Sequence, residues 1–209
     1  MIKAVLFDMD GVLVEAKEWH YEAFNEALNV FGLPISHEEH LITYDGLPTK
    51  EKLKILTAKK GLPVELHKFI NSLKQDFTFD ICLQRCRPVF HVEYCLSRLK
   101  QDGYKIAVCS NSIRATVELM MKKSGLLPYI DLIVSNEDVK KGKPDPEMYL
   151  KAMSVFGIKP CEAVICEDNE NGIKAALVSG GNLLRIGTVD DTNYQNVRQF
   201  IANCQCEVI

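Results

Sequence analysis

Residues 2–12, Ile-Lys-Ala-Val-Leu-Phe-Asp-Met-Asp-Gly-Val, begin as an apolar run without alternation and end on two acids and a glycine. A run such as Ile2, Ala4, Val5, Leu6 and Phe7 predicts a strand covered on both faces, as in a parallel sheet. Residues 15–84 then show helical periodicity and no strand. Trp19, Ala23, Ala27 and Phe31 recur every fourth residue, with Phe24 and Leu28 beside them, until Gly32 stops the pattern. Leu53 and Leu56, running to Gly61, predict a second helix; Leu66, Phe69, Ile70, Leu73 and Phe77 predict a third. From Pro88, which suits a helix first turn, helices and strands alternate. Val89, Val92, Leu96 and Leu99 form a buried helical stripe before Gly103, followed by a strand over 104–109. A helix on Ile113, Val117, Met120 and Met121 closes at Gly125 and leads to a strand over 132–134. Helix 147–156, strand 163–166, helix 171–178 and strand 183–186 follow, and 188–209 are expected to form a terminal helix and short tail. This order predicts an α/β fold with a doubly wound parallel sheet, built from residues 1–14 and 85–209. Residues 15–84 form a helical domain inserted after the first strand, with hinges near 14–17 and 84–88 and an apolar stripe of its own.

A chain of 209 residues has room for one core and a small satellite. Its 47% hydrophobic and 25% charged content is that of an ordinary globular protein. A net charge of −3, with no basic block, offers nothing to nucleic acid or to an anionic membrane. There is no apolar run near the ~20 residues that span a bilayer, and no signal peptide is visible, so a cytoplasmic protein is expected. The eight cysteines show no Cys-x-x-Cys spacing and are expected to be reduced thiols, with Cys204 and Cys206 near the tail the exposed ones.

Asp8 and Asp10 fall at the carboxyl end of the first strand, where ligands of such sheets bind. One residue apart in extended chain, they point roughly the same way. Taken alone, Asp-x-Asp-Gly also serves simply to end a strand in a turn. Three more segments set polar groups just past an apolar run: Val-Cys-Ser-Asn-Ser at 108–112, Lys-Gly-Lys-Pro-Asp-Pro at 141–146, and Ala-Val-Ile-Cys-Glu-Asp-Asn at 163–169. In this order, from residue 1 to about 187, the four motifs resemble the haloacid dehalogenase-like hydrolase superfamily. Within it they are similar to the branch of beta-phosphoglucomutase and phosphoglycolate phosphatase.

Moving a phosphoryl group takes a nucleophile, charge neutralisation and a proton for the leaving oxygen. The resemblance implies that Asp8 is the nucleophile, forming an aspartyl phosphate, and that Asp10 is the general acid–base. It implies Mg²⁺ held by Asp8 and Asp168 with the Asp10 backbone carbonyl, and Glu167 as a direct or water-mediated ligand. Read alone, Glu-Asp-Asn also starts and caps a helix. Ser110, with the N–H groups of Asn111 and Ser112 at a helix N-terminus, and Lys143 are expected to hold the phosphoryl oxygens. Alone, Lys-Gly-Lys-Pro reads as a solvated loop, and Lys140 and Lys141 are expected at the surface.

Residues 45–51, Asp-Gly-Leu-Pro-Thr-Lys-Glu, resemble the cap loop that reaches the active site in this family. Lys50 is the expected contact to the distal part of the substrate, an exposed helix-start lysine being the alternative. His20 and Asn111 resemble substrate-facing positions, though His20 also fits the solvent face of a helix. Glu15-Ala16 departs from the Asp-Ser or Asp-Thr of relatives. Thr49 replaces both the cap arginine of beta-phosphoglucomutase and the Schiff-base lysine of phosphonoacetaldehyde hydrolase, and Asp10 is lacking in true dehalogenases. The resemblance thus implies an Mg²⁺-dependent phosphatase acting on a small phosphorylated metabolite such as a sugar phosphate. A sugar phosphomutase is the alternative, and a non-catalytic regulatory or binding protein on the same fold a third reading. No nucleic-acid or membrane partner is expected, and a monomer is favoured.

Overall fold

The computed structural model describes residues 1–204. The chain forms two compact units, Ala16–Arg85 and the remainder, residues 1–15 with the chain from Cys86 on. Strand β1 (Ala4–Phe7) opens the larger unit. The helical unit follows with α1 (Lys17–Asn29), α2 (His37–Glu39), α3 (Thr49–Lys60) and α4 (His67–Arg85). Back in the larger unit come α5 (Phe90–Gln101), β2 (Lys105–Cys109), α6 (Arg114–Lys123), β3 (Leu132–Val134) and α7 (Glu147–Phe156). β4 (Ala163–Glu167), α8 (Glu170–Ser179), β5 (Asn182–Arg185) and α9 (Tyr194–Asn203) complete it.

All five strands are parallel, in the order β3-β2-β1-β4-β5. β1 is the middle strand, and all four of its residues are fully buried, as its unalternating sequence requires. Full burial of a side chain such as Leu6 or Phe7 contributes roughly 1.5–3 kcal/mol. The predicted boundaries move little, with two shifts of consequence. Pro88 precedes α5 instead of opening it, with Val89 at the cap. β4 runs one residue further than expected and takes Glu167 into the strand, buried. Gly157 and Gly180 end α7 and α8 with positive φ, the left-handed conformation that glycine adopts without a Cβ penalty.

In the helical unit, Phe24, Ala27, Leu28, Ile35, Tyr44, Leu53, Leu56, Leu62 and Ile70 make one core. A π-helical turn, His40–Tyr44, continues α2 and was not legible in the periodicity. It buries His40, whose Nδ1 has no hydrogen-bond partner and whose ring lies 4.8 Å from that of Tyr21. Burial, then the Lys52 ammonium, push His40 down to about 4. An unfolded chain therefore takes up this proton at higher pH than the folded one. Stability is full above about pH 6.5 and falls as pH drops toward 4, by about 3 kcal/mol in total from this residue. His40→Phe keeps the ring packing and removes the titration, so urea unfolding between about pH 7 and 4 should show a shallower loss. Identical slopes for variant and wild type would refute this assignment.

Cys82, Cys86, Cys95, Cys109 and Cys166 are buried thiols, and Cys161 and Cys204 are half-buried. Cys204 is thus less exposed than expected, and Cys206 lies outside the described residues. Among the described residues, no helix is long and apolar enough to cross a membrane.

Candidate active site

The strand order reverses at β1, with β2 and β3 to one side and β4 and β5 to the other. Parallel sheets open a crevice at such a reversal, beyond the carboxyl ends of the strands. Phe7 pairs with Val108 on one side and Cys166 on the other, so Asp8 emerges level with Cys109 and Glu167. Its N–H donates to the Cys166 carbonyl at 3.0 Å, which fixes it as an extension of the strand.

Lys143 is 135 residues from Asp8 in sequence and meets it directly. Its Nζ donates to Asp8 Oδ1 at 2.5 Å, to Glu167 Oε1 at 2.6 Å and to the Cys109 carbonyl at 2.7 Å. Three acceptors use all three ammonium protons. The nitrogen also lies 5.1 Å from the Tyr149 ring centroid, and the Tyr149 hydroxyl donates to Glu167 Oε1. Asn111 holds the lysine's backbone from both sides. Lys143 N–H donates to Asn111 Oδ1 at 2.9 Å, and Asn111 Nδ2 donates to the Lys143 carbonyl at 3.2 Å. Gly142 permits this grip, because a Cβ there would lie 2.5 Å from Asn111 Oδ1. The side chain expected to face substrate is therefore engaged in positioning Lys143.

Ser110 follows β2 and is buried, its N–H on the Val134 carbonyl at 3.0 Å. Its hydroxyl accepts the Ser112 N–H at 3.1 Å, so that one of the two N–H groups expected to meet an anion is already engaged. Asp10 is half-buried in the turn after β1, where it bridges to Val14. Gly11 makes that turn with φ +85°, and its N–H donates to the Val14 carbonyl at 2.7 Å.

Glu167 ends β4, and its Oε2 accepts the Asp168 N–H at 3.2 Å. α8 packs so close that a Cβ at Gly172 would fall 1.9 Å from Glu167 Oε1, so glycine is required there. The Asn169 side chain caps α8 by accepting the Asn171 N–H at 2.9 Å, so the helix-start reading of this motif holds alongside the site. Both Asp168 carboxylate oxygens are shielded from solvent. Asp8, Glu167 and Asp168 each bring a carboxylate oxygen within 4.8 Å of the others.

Burial raises the Asp8 carboxyl well above the usual carboxylate range. Lys143 opposes this, while Glu167, Asp10 and Asp168 add to it. For Lys143 burial works against the charge, but Asp8 and Glu167 outweigh it and hold the ammonium protonated. Burial, then Glu167 and Asp8, push the Tyr149 hydroxyl well up, so it stays a donor. The Lys143 ammonium meets Asp8 and Glu167 within this cluster of three carboxylates, whose donors are all hard oxygen. Such a set fits a divalent cation of the Mg²⁺ or Ca²⁺ kind.

Of the predicted site residues, Asp8, Lys143, Glu167 and Asp168 come together directly, and Asn111 joins them through Lys143. Lys50 and His20 lie in the helical unit. Lys50 is exposed in the first turn of α3. His20 is half-buried on α1 with Nδ1 3.1 Å from Lys74 Nζ, and is not on a solvent face. Tyr149, Gly142 and Gly172 were missed. Tyr149 sits on an apolar stripe where an aromatic residue reads as core.

A central parallel strand ending in an acid, with lysine and further acids closing on it, defines an α/β site suited to phosphoryl chemistry. The model of the haloacid dehalogenase-like hydrolases matches residues 5–186. A phosphorylated carbohydrates phosphatase of Thermotoga maritima is 27% identical over 179 residues, covering 86% of this chain and 82% of that protein. The structure of a CbbY variant from Rhodobacter sphaeroides in complex with xylulose-(1,5)bisphosphate superposes with a TM-score of 0.80 at 27% identity, covering 88% of this chain and 86% of that one. A beta-phosphoglucomutase of Clostridium difficile shares the fold at 19% identity, with a TM-score of 0.82 and 97% and 98% of the two chains covered. The chain belongs to the haloacid dehalogenase-like hydrolase family and is a phosphatase of that family.

Proposed function

We propose that this protein hydrolyses a small phosphorylated metabolite, a sugar phosphate by analogy with its relatives, through an aspartyl phosphate on Asp8. The carrying observation is Asp8 itself, set at the end of the middle strand against Lys143 within the acidic cluster. A carboxylate oxygen of Asp8 attacks phosphorus, and the bond from phosphorus to the ester oxygen breaks. Asp10 gives its proton to that oxygen, releasing the alcohol. Water then attacks the phosphorylated Asp8 and gives a proton to Asp10. Inorganic phosphate leaves, and both acids return to their starting forms. Ser110 and Lys143 hold the equatorial oxygens, Lys143 giving up one of its three present acceptors to do so.

Asp8, Asp168 and the Asp10 backbone carbonyl would hold Mg²⁺, with Glu167 beside them. When bound, the ion supplies the positive charge that favours ionised Asp8 and the approach of a phosphate dianion. In the helical unit, Lys50 and His20 are the proposed contacts to the remainder of the substrate, and Asn111 serves the phosphoryl end through Lys143, whose backbone it holds.

A mutase would pass through the same intermediate and differ in what Asp10 next activates. Thr49, in place of the mutase arginine, favours water. Turnover in ¹⁸O-labelled water should therefore place label in the released phosphate. Conversion of a sugar 1-phosphate into its 6-phosphate isomer, with little phosphate released, would replace this reading with the mutase.

A further inference from the structure

Tyr149 is a fully buried side chain whose hydroxyl the chemistry at Asp8 leaves unused. It stands on α7 in one core with Met148, Ala152 and Met153, and its hydroxyl donates from there to Glu167 Oε1. The same oxygen accepts from Lys143 Nζ at 2.6 Å, and Oε2 accepts the Asp168 N–H at 3.2 Å. All of these residues belong to the larger unit. Among the described residues, Glu167 is the acceptor of Lys143 that a second side chain also serves. Lys143 has no free proton for a phosphoryl oxygen while it holds Asp8, Glu167 and the Cys109 carbonyl. One of these bonds must open, and a buried acceptor left without a donor is costly. When Lys143 leaves Glu167, that carboxylate retains the Tyr149 hydroxyl and the Asp168 N–H. Glu167 is held in place meanwhile, because α8 closes on it at Gly172, where a Cβ would fall 1.9 Å from Oε1.

We propose that Tyr149 is a positioning residue, whose hydroxyl holds Glu167 when Lys143 releases that carboxylate and turns one proton to the phosphoryl group. This assignment rests on the phosphatase reading above, in which Lys143 holds an equatorial oxygen, and it names the bond that opens to allow this. Tyr149→Phe keeps the ring 5.1 Å from Lys143 Nζ and removes the hydroxyl alone, so it isolates the role.

Calorimetric titration with inorganic phosphate at saturating Mg²⁺ reads this step without turnover. Tyr149→Phe should bind phosphate about 10-fold more weakly than wild type, since Glu167 then releases Lys143 with the Asp168 N–H alone to hold it. With para-nitrophenyl phosphate, KM should rise by a similar factor and kcat change less, as for a contact made both before and during transfer. Glu167→Gln removes the charge that Tyr149 compensates. Adding Tyr149→Phe to it should therefore change phosphate affinity by less than about 2-fold. A hydroxyl that merely supported packing would weaken both backgrounds alike. Circular dichroism should show each variant folded, since both substitutions nearly conserve side-chain shape. Equal losses in the two backgrounds, or unchanged phosphate affinity in Tyr149→Phe, overturn the assignment. So do a folded Glu167→Gln protein that binds no phosphate and a wild type that binds none. Should wild type bind phosphate and the variants respond as stated while no ester is hydrolysed, the phosphatase reading falls and Tyr149 keeps its role at the phosphate site. Should esters be hydrolysed while Tyr149→Phe matches wild type, that reading stands and the assignment falls.

Discussion

Asp8→Asn should lose about 10⁴-fold or more of phosphate release while remaining folded. An amide oxygen is a far weaker nucleophile than a carboxylate. Asp10 cannot substitute, because it lies two residues on in the turn that bridges to Val14, past the level at which Lys143 meets the strand. The fold should tolerate the change for a separate reason. Lys143 keeps Glu167 at 2.6 Å and the Cys109 carbonyl at 2.7 Å. The charge removed is one that burial and three neighbouring acids already disfavour. Circular dichroism and the thermal midpoint should therefore match wild type. Turnover above about a hundredth of wild type in the folded variant would overturn the covalent route.

The residues legible in the sequence are those whose role follows from local pattern. Asp8, Ser110 and Asp168 each close an apolar run, and a parallel sheet gathers such ends at one edge, so chain order alone brings them near one another. What stayed hidden depends on contacts between distant segments. Glu167 read as a ligand beside Asp168, but the extra strand residue buries it against Lys143, Tyr149 and Gly172. No periodicity shows that α8 must lack a Cβ at position 172 to leave room for that carboxylate. Asn111 read as a substrate contact because its position resembles a substrate-facing one in relatives; the loop from 141 to 146 folds back and takes both ends of its amide. The burial of Lys52 and Lys74 was legible in principle. Positions 52, 53 and 56, and positions 70, 74, 78 and 82, each share one buried helix face, and a lysine on such a stripe breaks the pattern. The lysine-rich composition of α3 concealed it.

Removing divalent cation should abolish turnover, and the reason lies in the charge balance at the end of β1. Asp8, Glu167 and Asp168 converge within 4.8 Å, and the Lys143 ammonium donates to Asp8 and Glu167. A phosphate dianion added to that cluster would meet a net negative site unless a cation joined it. Excess chelator should bring phosphate release to background, and Mg²⁺ should restore it. The same charge balance predicts a gain in stability on binding. At a hundredfold excess over the dissociation constant, the ion should add about 2.7 kcal/mol. For a chain of this size that raises the thermal midpoint by roughly 5–10 °C. Asp168→Ala removes a hard oxygen donor while leaving Asp8, Lys143 and Tyr149 in place. It should shift half-saturation by Mg²⁺ upward by about 10–100-fold in both activity and melting. Full turnover in excess chelator would sink the metal assignment, and an Asp168→Ala protein that titrates like wild type would remove Asp168 from the ligand set.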